Sequence, residues 1–212
     1  ENVNALLVDG RTTFGNGVRV PVMNEGGGRE IPIFNELSAS LAYILTLYRH
    51  RPAMISEVER LIDAYAEAQA SEVGYVGNHV RILNCGSIKN VKIGDYAELT
   101  GVSRLKNGTI NSNADAPVRL GSGVKCSDFI IASGVEIGDS TLVEKCFVGQ
   151  GCIFDKHYSA GESLFFSNCQ GMHGEACAIF AGPYTVTHHK STLLIAGMFS
   201  FLNAGSGSNQ SN

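Results

Sequence analysis

Three patterns of apolar and polar positions follow one another along the chain of 212 residues. Residues 1–34 alternate in short bursts, "NALLVDG" and "GVRVPVM", interrupted by the glycine cluster Gly26-Gly27-Gly28. Alternation punctuated by glycine predicts short strands joined by turns, either part of the following domain or leading into it. Residues 35–70 have a helical period instead. Leu37, Leu41, Ile44, Leu45 and Tyr48 mark one apolar stripe, with Asn35 as the expected N-cap. Pro52 opens a second helix, at a position where its missing N–H would have had no partner in any case. Val58, Leu61, Ile62, Tyr65 and Ala68 line one side of that helix, and Glu57, Glu59, Arg60, Asp63 and Glu67 line the other. Such a one-sided hairpin must lay its apolar faces on another part of the protein.

From residue 73 the helical period ends and short units replace it: "IGDYAEL", "LGSGVKC", "IGDSTLV" and "VGQGCIF". Each opens with an aliphatic residue and a glycine, continues with polar or small residues, and returns to an apolar one. Leu120-Gly121 and Ile137-Gly138 lie 17 residues apart. Further on, Ile179-Phe180-Ala181-Gly182 is echoed by Leu194-Ile195-Ala196-Gly197 at an interval of 15, which would set His188-His189 against Asn203-Ala204. Regular self-similarity of this kind predicts a solenoid. A coil with short flat sides needs a sharp turn at each corner, and glycine tolerates the positive φ such turns require. Aliphatic residues at matching positions point inward and stack on their equivalents about 4.8 Å away in the next coil. The expected architecture is mainly β: a parallel β-helix over residues 73–208, with Ile93, Leu120, Ile137 and Val148 pointing inward, and a two-helix hairpin over 35–70. The chain begins and ends in mid-pattern, so it reads as a piece of a longer protein.

Composition narrows the class. Apolar residues make up 44% and charged residues 17%, which describes a soluble globular chain with few surface charges. A net charge of −4 with scattered Lys and Arg gives no basic stripe, so nucleic acid is not an expected partner. No apolar run approaches the ~20 residues that span a membrane. Six cysteines, Cys85, Cys126, Cys146, Cys152, Cys169 and Cys177, sit among small or apolar neighbours with no C-x-x-C pair. They read as buried thiols in a reducing cytoplasm, and no metal site is expected of them.

The aliphatic-Gly-x-x-small-x unit resembles the hexapeptide repeat of left-handed parallel β-helix proteins, clearly over residues 73–160 and more loosely to 208. Coils of about 18 residues are usual there, so spacings of 15 and 17 imply shortened corners. That superfamily includes acyltransferases and the C-terminal halves of sugar-1-phosphate nucleotidylyltransferases. The whole chain, with its "DGRTTFGNGVRVPVMNEGGGREIPIFNELSASLAYILTLYRHRP" segment, resembles a Bacteroidetes family whose members carry the provisional label glucose-1-phosphate thymidylyltransferase. The resemblance implies a left-handed coil, a trimeric homo-oligomer, and a transferase-type activity on a sugar phosphate or nucleotide sugar. The nucleotidylyltransferase loop G-x-G-T-R-L-x-P-x-T is not present. "GGGREIPIF" is the one glycine-rich candidate, in which Gly27, Gly28 and Arg29 could cradle a phosphate or form a surface loop. No cofactor can be named.

Four of the six histidines are spaced near the coil length. His157, His173 and His189 are 16 apart, while His173, His188 and Asn203 are 15 apart. Stacked on one edge, they would form a column next to Lys190. Three readings stay open: a polar ladder, a general base of acyltransferase type at His173 or His188 serving an acyl donor, or a zinc site like that of the γ-class carbonic anhydrases. If the column is a functional site and not a ladder, His173 and His188 would reach a ligand, and His157, His189, Lys190 and Asn203 would flank or contact it.

Overall fold

In the computed structural model, which describes residues 1–211, the coils form a parallel β-solenoid of about seven turns with three faces. One face is an eight-stranded parallel sheet running from Arg81–Leu83 to Leu202–Ala204. The other two belong to a single twelve-stranded sheet, because strands such as Lys125–Ile131 and Leu142–Val148 turn from one face onto the next at a single residue. Those residues, Asp128 and Lys145, have φ of 53° and 49°, so a left-handed residue makes the corner without breaking the ladder. We call the faces first, second and third in chain order.

Coil length is read from the pairing register. Arg119 pairs with Glu136 and Leu120 with Ile137, an offset of 17, and the step from Ile137 to Phe154 repeats it. Two coils depart from that length. Glu98 pairs with Arg119, well beyond the usual offset, and the surplus forms a loop closed by the Asn113 side chain, which accepts from the Asp115 and Ala116 amides. Ser159 pairs with Glu175, one position short of the usual offset. An offset of 15 occurs nowhere among the described residues: Phe180 lies beside Gly197 and Thr187 beside Ala204. The "IFAG"/"LIAG" echo is thus a likeness of composition out of phase with the stacking, and it does not set His188-His189 against Asn203-Ala204.

Ile93, Leu120, Ile137 and Val148 all point into the solenoid and are at most 2% exposed, part of one continuous core with Leu99, Phe129 and Phe154. Packing there depends on large residues opposite small ones. A Cβ on Gly108 would lie 2.4 Å from the ring of Phe129, its partner in the next coil, so the glycine is the space that the ring fills.

Residues 9–74 leave the solenoid at a corner of its first coil. Val3–Leu7 pairs with the Cys85–Ile93 strand, and the chain returns at Val76, which bridges Ile93. The excursion contains a short antiparallel pair, Arg19–Val20 with Ile31–Pro32, and helices α1 (Ala39–Leu47) and α2 (Pro52–Ala68). It covers the outside of the second face, where Ile130, Phe147, Leu164, Phe166 and Phe180 pack on Val20, Ile31, Ile33, Leu45 and Ile62. That face is apolar on both sides, which explains runs such as "FII", "CFV" and "LFF" where an exposed strand would alternate. Pro52 opens α2 as expected. The N-cap of α1 is Ser38, whose hydroxyl accepts from the Leu41 amide, while the Asn35 amide is held by Asn16 in the preceding turn. On α2 the buried residues are Ile55, Ile62 and Ala66, and Leu61 is 56% exposed, because the helix rests on the antiparallel pair along a line one position from the expected stripe.

All six cysteines are free thiols, and only Cys177 is not fully buried. Cys152 donates to the Phe166 carbonyl at 3.1 Å and Cys169 to that of Gly182 at 3.3 Å. No helix among the described residues is long and apolar enough to cross a membrane.

Candidate functional site

The turn from the third face to the first repeats in every coil, with four residues between Phe154 and Ser159, three between Gly171 and Glu175, and four between Thr187 and Thr192. These three successive turns contain Lys156-His157, His173, and His188-His189-Lys190, all exposed. The structure thus brings four of the expected site histidines and Lys190 to one corner, within coils about 4.8 Å apart.

Within that corner the residues are not equivalent. His157 and His173 stand two residues before the first-face strand and have φ of 64° and 58°. Gly123, Ser140 and Gly207 hold the same place in other coils, with φ of 75°, 59° and 70°. Two histidines therefore make the left-handed bend itself. By register the next residue of that column is Lys190, and His188 and His189 precede it on the turn. His188 Nε2 lies 2.5 Å from Gln170 Oε1, an amide oxygen that accepts when this ring nitrogen carries the proton. Asn203 lies outside this corner. It is in a third-face strand beside Val186 and continues the outward row Arg81, Glu98, Arg119, Glu136, Ile153, Gln170. Among the described residues, no group of three or more His, Cys, Asp or Glu side chains is placed to hold a metal ion.

The glycine loop is closed on itself. The Gly27 amide donates to the Asn24 carbonyl at 3.0 Å, and the Gly28 amide donates to Glu30 Oε1 at 2.9 Å. That N–H holds the Glu30 carboxyl below its ordinary value. Arg29 reaches the Met23 carbonyl at 3.4 Å. An anion bound by Gly27, Gly28 and Arg29 would have to displace Glu30.

Sequence reasoning missed a charged ladder on the third face. Arg119 sits between Glu136 at 2.8 Å and Glu98 at 3.6 Å, beside a groove of ≈ 300 Å³ over Gly121 and Gly138. The signal was available only through register, since the three residues are far apart in the chain.

Fold and corner together define a β-solenoid with an inserted helical hairpin and a histidine-rich edge. The whole chain, residues 1–212, matches the family described as Domain of unknown function (DUF4954), and it belongs to that family. It is also similar to an uncharacterized protein of Treponema pallidum (strain Nichols), 26% identical over 120 residues, or 57% of this chain. The match covers 17% of that relative's length. Neither description names an activity or a substrate.

Proposed function

We propose that this solenoid is the ligand-binding part of a transferase-type protein that acts on a sugar phosphate or nucleotide sugar, with the phosphate held at the histidine corner. The observation that supports it is the gathering of Lys156, His157, His173, His188, His189 and Lys190 on three successive turns, all open to solvent. Six cationic or protonatable side chains at coil spacing can neutralise one or two phosphates, and imidazole donors suit phosphate oxygens near neutral pH. The resemblance to hexapeptide-repeat proteins adds the finer parts of the proposal: left-handed winding, a trimer about an axis parallel to the solenoid, and a cytoplasmic setting. Thermal shift of the parent chain against sugar phosphates, nucleotide sugars and acyl-coenzyme A tests it. A rise in melting temperature with phosphorylated sugars, lost in His173→Gly and His188→Asn, is expected. A panel in which no compound stabilises the parent overturns the proposal and favours a non-catalytic scaffold. Light scattering that reports a monomer at micromolar concentration would remove the trimer.

The His188–Gln170 hydrogen bond favours a second reading, acyl transfer. With Nε2–H donated to Gln170, Nδ1 is the acceptor and could take a proton from an attacking hydroxyl or amine. Release of free coenzyme A from an acyl donor, abolished in His188→Asn, would support this reading.

A further inference from the structure

Two cavities meet at the foot of α1, on the corner from the second face to the third, away from the histidines. They share Ala39 and Pro183. The first, ≈ 290 Å³, is edged by Glu36, Gln150 and Ser167 over Phe147 and Phe166. The second, ≈ 390 Å³, lies between Tyr43, Ile44, Phe180 and Phe199. Together they form one cleft with a polar half and an aromatic half.

Each half presents side chains that a ligand could contact. The exposed Glu36 carboxylate and Gln150 amide and the half-buried Ser167 hydroxyl line the first cavity and have no side-chain hydrogen-bond partner among the described residues, so they are free to meet a ligand in place of water. In the second, the Tyr43 ring stands edge-on to Phe199 with centroids 5.3 Å apart, and Phe199 lies 4.9 Å from Phe180. Tyr43 and Phe199 nevertheless stay 40% and 42% exposed. Tyr184 and Phe201, which precede the paired residues Thr185 and Leu202, extend the aromatic surface along the same corner.

We propose that this cleft binds a neutral oligosaccharide. A pyranose offers an apolar C–H face for an exposed aromatic ring and a rim of hydroxyls, each both donor and acceptor. Gln150, Ser167 and Glu36 supply both kinds of partner, and a carboxylate can accept from two neighbouring hydroxyls. No Lys, Arg or His lines either cavity, and Glu36 would repel a phosphate, so the site is unsuited to an anionic sugar. A wholly apolar ligand would strip water from Glu36 and Gln150 without replacing it. Two adjoining cavities suit a chain of two or three sugar units.

The test is an amide-resolved NMR titration of the whole chain with maltotriose, cellotriose and chitotriose at millimolar concentration. One of the three should shift the resonances of Glu36, Gln150, Ser167 and Phe199 together. Gln150→Ala and Tyr43→Ala should each weaken that binding about fivefold or more at unchanged melting temperature, while His188→Asn should leave it intact. Gln150 is exposed, so its variant decides the matter should Tyr43→Ala perturb the fold. The proposal is overturned by the absence of shifts with all three sugars, by shifts mapping to another face, or by parent-like affinity in Gln150→Ala. Equal shifts produced by an unrelated peptide would also overturn it. The sugars carry no phosphate, so this outcome is independent of the histidine corner.

Discussion

The ring of Tyr158 fills the space that a side chain at Gly171 would need: a Cβ on Gly171 would lie 2.5 Å from its ring carbons. Gly171 pairs with Phe154 in the preceding coil and Thr187 in the next, positions that point into the core. Tyr158 stacks its fully buried ring against Phe154 at 5.3 Å, crosses the bare glycine, and reaches the Thr187 side chain with its phenol. Burial pushes that phenol's pKa above the ordinary value, so it stays neutral.

Gly171→Ala should therefore cost about 1–3 kcal/mol, the usual penalty for overpacking a closed core. Tyr158→Ala alone should cost about 3–5 kcal/mol, in the range of other buried aromatic truncations. In the double variant the two losses should fall short of their sum, because each removes the partner with which the other conflicts. Urea titrations of the four proteins check this. Strict additivity would mean that ring and glycine do not share the space.

At the corner, His157 and His173 occupy left-handed backbone that glycine adopts without cost. His157→Gly and His173→Gly should leave stability unchanged or raise it by up to about 1 kcal/mol. Replacement by Val, which resists φ > 0, should lower it by about 1–2 kcal/mol. A large loss on going to glycine would show that the imidazoles themselves hold the corner.

His188 is exposed and makes one hydrogen bond, to Gln170. His188→Asn should shift stability by less than about 1 kcal/mol, as a chemical melt will show. A greater loss would place the ring in the packed structure.

Thiol chemistry should separate the cysteines. Five are buried, and burial raises Cys146 to about 12, so a disulfide reagent should label one thiol in the native protein and six in denaturant. The one is Cys177. Its thiol is raised first by partial burial and then by Glu25, so labelling should be slow at neutral pH and faster in Glu25→Gln. Rapid labelling of two or more native thiols would contradict the packing.

Three surface carboxylates, Glu30 among them half-buried, titrate below their ordinary values of 3.8 and 4.5: Asp9 beside Lys89, Glu30 at the Gly28 amide, and Glu57 beside Arg60. Folded values below the unfolded ones mean that their contribution is fully present above the unfolded values. It is lost as pH falls through the lower folded values. Melting temperature should be flat from about pH 5 to 8 and fall below about pH 4. Glu30→Gln should make that fall shallower.

Much of this was legible in the chain. The glycine–aliphatic units, recurring at the true coil interval, announced stacked coils. Leu120 and Ile137 were already assigned to the core, and Pro52 marked the start of α2. The histidine corner was legible in part. The interval of 16 aligned His157 with His173, because the turn at His173 is one residue shorter than its neighbours. The interval of 15 misplaced Asn203, because an echo of similar residues does not measure stacking. The cleft at the foot of α1 was not legible at all, since Glu36, Tyr43, Gln150 and Phe199 come together only when the hairpin docks.

By itself the sequence determined the kind of structure, because inward aliphatics and corner residues recur at a coil's length and each coil can bury them only on the next. Tertiary structure decided the phase of the coils and the place of the hairpin. Register follows from hydrogen bonds and side-chain fit between strands a full coil apart, where Tyr158 meets Gly171 and Phe129 meets Gly108. The hairpin belongs on the second face because that face is apolar on both sides, a property that emerges once Ile130, Phe147, Leu164 and Phe180 are aligned in space.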